Sequence, residues 1–115
     1  MKTTTYKGHD LGRDFKSYAR KCRKAFQIAF NDLGGELTDF SIGFYYFSGF
    51  GIVNGQYYYF SISDVRHFPD SKILFRTAKS NKDYSGGTNQ YLSKSMPLTG
   101  QMKNIIEKRV IFCSL

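Results

Sequence analysis

The chain has 115 residues, of which 41% are hydrophobic and 23% are charged. This length and composition are typical of one folded domain, 1–115, rather than of two domains or a disordered tail. No apolar run approaches the roughly 20 residues of a membrane-spanning helix, and the first residues contain no apolar signal segment. Two cysteines are too few for a disulfide framework, and no Cys/His motif predicts a metal site. We therefore expect a cytoplasmic protein with no membrane contact, metal or cofactor.

Charge is distributed unevenly along the chain, whose formal net charge is +8. Residues 1–24 and 72–115 each contain eight basic and two acidic residues, whereas residues 25–71 contain one basic and five acidic residues. Such basic segments attract polyanions, so the expected partner is nucleic acid or an acidic protein surface. We expect the two basic segments to converge on a single positive surface.

An amphipathic helix is predicted over residues 10–33, with Asp10 as its N-cap and Gly34 at its end. Its apolar residues recur every three or four positions: Leu11, Phe15, Tyr18, Cys22, Phe26, Ala29 and Leu33. The opposite side holds basic residues that are candidate phosphate contacts: Arg13, Lys16, Arg20, Arg23 and Lys24. A solvated helix face is the simpler interpretation of the same pattern.

Residues 40–60 hold ten aromatic side chains and predict a β-hairpin whose turn is Asn54-Gly55. This turn places Val53 opposite Gln56. One face of the hairpin then carries Phe47, Val53, Tyr58, Phe60 and Ile62 and packs on the helix. Gly49 and Gly51 on that face leave room for a neighbouring ring. The other face is a candidate aromatic surface for stacking bases: Tyr46, Phe50, Tyr57 and Tyr59. A second layer of core is the alternative.

A third strand fits residues 72–78, and a long polar loop follows over 79–95. Residues 100–109 predict a short C-terminal helix capped by Thr99, and residues 110–115 suit either more helix or an edge strand. Residues 1–9 are expected to form a mobile N-terminus. The predicted fold class is α+β, with the N-terminal helix on an antiparallel meander of three or more strands and a short C-terminal helix (α-β-β-β-α).

This order of elements, together with the basic charge, resembles the double-stranded-RNA-binding fold over about residues 10–110. That family carries a basic motif at the start of its last helix. The corresponding residues 99–104 here include one cation, Lys103. The resemblance therefore concerns topology, and no functional residues are transferred from it.

The end of the third strand and the polar loop form the second group of candidate residues. Arg76, Lys79 and Lys82 are candidate nucleic-acid contacts. The segment Ser85, Gly86, Gly87 and Asn89 is a candidate anion-binding loop, because glycines permit backbone N–H groups to face an anion. His67 and Arg76 are weak candidates for catalysis by a toxin-like ribonuclease.

The leading hypothesis is a non-catalytic binding domain for nucleic acid or for a nucleic-acid-handling complex, acting mainly through phosphate contacts. The first alternative is a phage- or plasmid-type inhibitor that binds a host protein through exposed aromatic and arginine side chains. The second is the small ribonuclease. A homodimer that covers the aromatic surface is a further alternative.

Overall fold

A computed structural model describes residues 11–43, 46–62, 72–84, 86–93 and 97–114 of the chain. Its elements are, in chain order, α1 (Leu11–Asp32), β1 (Glu36–Ile42), β2 (Phe47–Val53), β3 (Gln56–Ile62), β4 (Ile73–Ala78), β5 (Gln90–Leu92) and α2 (Leu98–Ser114). The strands form an antiparallel sheet in the order β1-β2-β3-β4-β5. The predicted α+β class, a meander between two helices, is confirmed.

Helix α1 buries the stripe that its apolar spacing predicts. Five of the predicted residues are at most 4% exposed, and they are Phe15, Tyr18, Cys22, Phe26 and Ala29. The helix ends as expected at Gly34, whose φ is +81°. The N–H of Gly35 bonds the Phe30 carbonyl at 2.9 Å and that of Gly34 bonds the Asn31 carbonyl at 3.1 Å. This pattern satisfies two of the last carbonyls of the helix.

The hairpin of β2 and β3 has the register that its turn predicts. Asn54 and Gly55 have φ values of 50° and 80°, as a type I′ turn requires. Val53 pairs with Gln56, and Gly49 pairs with Phe60. The alternation of side chains along both strands therefore follows from this one local turn.

The helices cover one face of the sheet, here called the inner face, and the core lies between them. The Phe26 and Phe60 rings stack with centroids 3.8 Å apart. A Cβ atom added to Gly51 would lie 2.3 Å from the Phe30 ring, and one added to Gly49 would lie 2.5 Å from the Phe60 ring. The expectation that both glycines leave room for a neighbouring ring is confirmed. The opposite face of the sheet is called the outer face.

Two strands and one helix boundary differ from the sequence prediction. Strand β1 is absent from the predicted elements. Its register shifts between Leu37 and Asp39 and its side chains are mostly half-buried or exposed, so its sequence shows no regular alternation of buried and exposed residues. Strand β5 lies inside the predicted polar loop 79–95 and is three residues long. Helix α2 begins at Leu98, so Thr99 lies inside it, and it includes residues predicted as a possible edge strand.

Burial of the Tyr18 hydroxyl makes the stability of the core depend on pH. Burial raises the pKa of the Tyr18 hydroxyl above its ordinary value of 10.0, and the charge of Cys22 and its side-chain hydrogen bond raise the pKa further. The stabilisation that accompanies the neutral hydroxyl is therefore complete below pH 10 and is lost as the pH rises above it. We expect Tyr18→Phe to reduce the fall in unfolding free energy between about pH 8 and pH 11, measured by urea denaturation of both proteins. Identical pH dependence of the two proteins would contradict this assignment.

Candidate nucleic-acid interface

The solvent side of α1 carries five exposed cations, here called the basic face: Lys16, Arg20, Lys21, Arg23 and Lys24. Lys16, Arg20 and Lys24 follow one another at four-residue intervals, roughly 6 Å apart along the helix axis. No acidic residue lies between positions 15 and 31 of the helix. None of the five cations forms an ion pair within the part of the chain that the structure describes. Their charges are therefore available to an external anion.

The basic face does not serve the stability of its own helix. Like charges four residues apart repel by about 0.2–0.5 kcal/mol per pair, and Lys16, Arg20 and Lys24 form two such pairs. Cations stabilise a helix near its C-terminal end, yet the last turn of α1 contains no basic residue. Arg13 belongs to the same helix, but its side chain lies outside the described residues.

Arg76 on β4 lies on the outer face and is 4% exposed. Its guanidinium lies 4.5 Å from the centre of the Tyr59 ring and donates to the carbonyls of Thr77, Asp83 and Gly86. A buried cation whose N–H groups are engaged in this way is poorly placed to contact a phosphate. Arg76 thus anchors the loop that follows β4, and its predicted contact with nucleic acid stays a prediction that this burial does not favour.

In the loop between β4 and β5 (79–89, with 85 outside the described residues), backbone N–H groups already donate to a carboxylate of the loop itself. The Asp83 carboxylate accepts hydrogen bonds from the backbone N–H groups of Lys79 and Gly86, each at 3.0 Å. Gly87 has a φ of +81°, and a Cβ there would lie 2.4 Å from the Thr77 carbonyl oxygen. The glycines thus permit the tight backbone that was predicted, but one amide of the candidate anion loop is occupied by Asp83.

The outer face is aromatic, as predicted, but its rings differ in exposure. Tyr57 and Tyr59 are half-buried and Tyr46 is 48% exposed, whereas Phe50 is 2% exposed. Phe50 is buried because Tyr59 and Tyr84 pack on it, with ring centroids at 5.1 and 5.2 Å. Phe50 is therefore no part of an exposed surface. The loop that carries Tyr84 covers Phe50. The cover over Phe50 therefore comes from neither the C-terminal helix nor a second subunit.

Lys79 and Lys82 of the second basic segment lie across the sheet from the basic face, whereas Lys103 of the same segment lies on α2, which packs with α1 on the inner face. Phe75 packs against Phe30 of α1, so its neighbour Arg76 lies on the opposite side of the sheet. The loop that carries Lys79 and Lys82 packs on that outer face through Tyr84. The loop cations therefore do not converge with the basic face, because the sheet lies between them.

Of the remaining site residues predicted from the sequence, one lies among the described residues and two lie outside them. Asn89 is exposed near the end of the loop. His67 and Ser85 lie outside the described residues. Among described residues, no cluster of histidine, cysteine, aspartate or glutamate side chains is suited to hold a metal ion. No described helix is both long and apolar enough to cross a membrane.

Two residues with a place in these surfaces were missed at the level of sequence. Lys21 is exposed at the edge of the basic face, and its position between two buried residues of the stripe, Tyr18 and Cys22, concealed it. Tyr84 lies in a segment that the sequence predicts as a polar loop, although its ring packs on Phe50 and Tyr59. The helical spacing was sufficient to place Lys21 on the solvent side, whereas no local pattern identifies the packing of Tyr84.

Comparison with protein-family models, with curated proteins and with solved structures finds no match for this chain. The five-stranded meander also differs from the α-β-β-β-α order on which the resemblance to the double-stranded-RNA-binding fold rested. The surface chemistry of the chain itself therefore indicates what it can bind.

Proposed function

We propose that this protein is a non-catalytic nucleic-acid-binding domain that holds the phosphate backbone with the basic face of α1. One observation carries the proposal, namely five exposed cations on one helix side without an ion pair among described residues. Each cation that neutralises a phosphate releases a counterion, which makes association favourable at low salt. Because phosphate contacts position a ligand without reading its bases, little sequence preference is expected.

Salt dependence provides the first measurement. If the five cations of the basic face each neutralise one phosphate, the slope of log affinity against log salt is roughly −4 to −5 on duplex DNA. Fluorescence anisotropy with labelled duplex and single-stranded oligonucleotides at several salt concentrations measures this slope. The absence of binding to all of them at low salt would contradict the proposal.

Reversal of two central charges tests the location of the interface. We expect Arg20→Glu with Lys24→Glu to reduce affinity at least about tenfold and to make the salt slope less steep by about two. Both side chains are exposed, so the far-ultraviolet circular dichroism and the Tm should stay close to those of the unmodified protein.

A matched double variant separates the basic face from net charge. Lys72 and Lys103 are exposed and lie outside the basic face, and Lys72→Glu with Lys103→Glu changes the net charge by the same amount. The ion pair of Lys103 with Glu107 is exposed and contributes little to stability. An equal loss of affinity in the two double variants would show that overall charge, and not the basic face, governs binding.

A further inference from the structure

Tyr84 presents a large aromatic surface to solvent from a fixed position. The side chain is 65% exposed. Its ring stands at 75° to the Phe50 ring and at 77° to the Tyr59 ring, with centroids at 5.2 and 5.7 Å. Such edge-to-face contacts hold an aromatic ring in place. The ring is therefore fixed from one side while much of it stays open to a ligand.

The backbone around Tyr84 is fixed by neighbours on both sides. Arg76 donates to the carbonyls of Asp83 and Gly86, and the Asp83 carboxylate accepts from the amides of Lys79 and Gly86. The side chain of Arg76 is itself buried against Tyr59. A ring held by such contacts loses little conformational entropy when a ligand binds, so more of the contact energy contributes to affinity.

The loop that carries Tyr84 also contains two lysines and borders a cavity. Lys79 and Lys82 are exposed, and neither ammonium group forms an ion pair with another described residue. The base of the loop also walls a cavity of about 410 Å³, a size that accepts small organic groups. An aromatic ring, a lysine and a threonine line it: Tyr57, Lys79 and Thr77. Asp83 also lines the cavity, and its carboxylate accepts hydrogen bonds from two backbone amides.

We propose that Tyr84 stacks on an unpaired base of single-stranded nucleic acid, whose neighbouring phosphates lie against Lys79 and Lys82. The cavity at the base of the same loop receives the adjacent nucleotide. This inference rests on the proposed function and deepens it by naming the form of nucleic acid that the outer face selects. An aromatic ring flanked by cations binds any base, because every base has a π face. The site therefore distinguishes unpaired from paired nucleic acid and not one sequence from another.

The outer-face site and the basic face lie on opposite sides of the sheet, so their contributions can be measured separately. The probes are three labelled oligomers of equal length: a single-stranded oligonucleotide, an abasic chain with the same phosphates, and a duplex. We expect Tyr84→Ala to reduce affinity for the single strand by roughly 5- to 100-fold. The same variant should leave the abasic chain and the duplex unchanged.

Two companion variants keep the result interpretable. Tyr84→Phe retains the ring and should bind the single strand like the unmodified protein, whereas Tyr84→Leu keeps apolar cover over Phe50 and should still show the loss. Tyr91 is 57% exposed on β5, and Tyr91→Ala serves as the control for removal of an exposed tyrosine. Circular dichroism and Tm of each variant confirm that it is folded.

The outcomes separate this inference from the proposed function. If all probes bind through the basic face and Tyr84→Ala binds the single strand unchanged, the stacking site is wrong and the proposed function stands. An equal loss on the abasic chain would also overturn stacking, because that probe has no bases. Failure of the unmodified protein to bind any probe at low salt would overturn both.

Discussion

Phe60→Ala should lower the free energy of unfolding by about 3–5 kcal/mol. The Phe60 side chain is completely buried, and its ring stacks on Phe26 at 3.8 Å. The rings of Phe30, Phe40 and Phe47 lie around it, with centroids 5.9–6.3 Å away. Loss of the ring leaves a cavity beside a glycine, Gly49, which has no side chain to fill it. Since a small domain is stable by only about 5–15 kcal/mol, this single change removes a large share of its stability.

Urea denaturation followed by circular dichroism measures this loss. Phe60→Leu retains most of the buried volume and should cost less than Phe60→Ala. Tyr91→Ala is the matched exposed control, because removal of a ring that already faces solvent should change stability by at most about 1 kcal/mol. If Phe60→Ala and Tyr91→Ala lowered stability equally, the stacked rings between α1 and the sheet would not be the centre of the core.

Arg76→Met should destabilise the protein by about 2–3 kcal/mol and release the loop between β4 and β5. Methionine preserves much of the apolar stem but provides no donor for the carbonyls of Thr77, Asp83 and Gly86, which Arg76 now bonds. A hydrogen bond from a charged donor contributes about 1.5–3 kcal/mol to stability, and we expect a loss close to that of one such bond, because the contacts with the Thr77 and Asp83 carbonyls are long, at 3.4 Å. The same substitution also removes the cation from the Tyr59 ring, and thereby weakens the support of Tyr84.

Hydrogen exchange of the Lys79 and Gly86 amides reports on the loop directly, because both bond the Asp83 carboxylate. We expect faster exchange in Arg76→Met together with a lower free energy of unfolding. Lys79→Met removes the same charge from an exposed neighbouring position and should change stability by less than about 0.5 kcal/mol. Equal stability and equal exchange rates in these two variants would show that Arg76 does not anchor the loop.

Sequence patterns were sufficient where structure depends on short-range geometry. The three- and four-residue spacing of apolar side chains predicted α1 from a single stretch of chain, and Gly34 predicted its end. Asn54-Gly55 determined the register of β2 and β3, because a two-residue turn with both φ values positive leaves one pairing. The face of this hairpin that packs on the helix followed from that register.

Prediction failed where an element depends on its neighbours in space. Strand β1 is irregular in register, and it pairs with β2 at the edge of the sheet. Strand β5 is a three-residue strand that pairs with β4, and Gln101 of α2 bonds the backbone of Ser93 just after it. Neither segment has a periodicity of its own that is long enough to detect, since its conformation is determined by the partner strand.

Residue type likewise did not reveal the environment of Phe50 and Arg76. Phe50 lies on the predicted side of the hairpin, yet Tyr84 from a distant loop buries it. Arg76 is one cation among many in the sequence, and three backbone carbonyls together with a tyrosine ring bury it. Apart from Thr77, the neighbours that bury these two side chains are seven or more residues away along the chain, so a local pattern contains no information about them.

The sequence alone determined the α+β class, the amphipathic first helix, the central hairpin and the amount of positive charge. Only the tertiary structure decided how that charge is divided. The sheet separates the cations of α1 from Lys79 and Lys82 of the loop after β4, because adjacent residues of a strand point to opposite faces and α1 packs on one of them. Two surfaces result, the basic face of α1 and an outer face with the exposed Tyr84 ring, and their separation depends on which side of the sheet each segment packs.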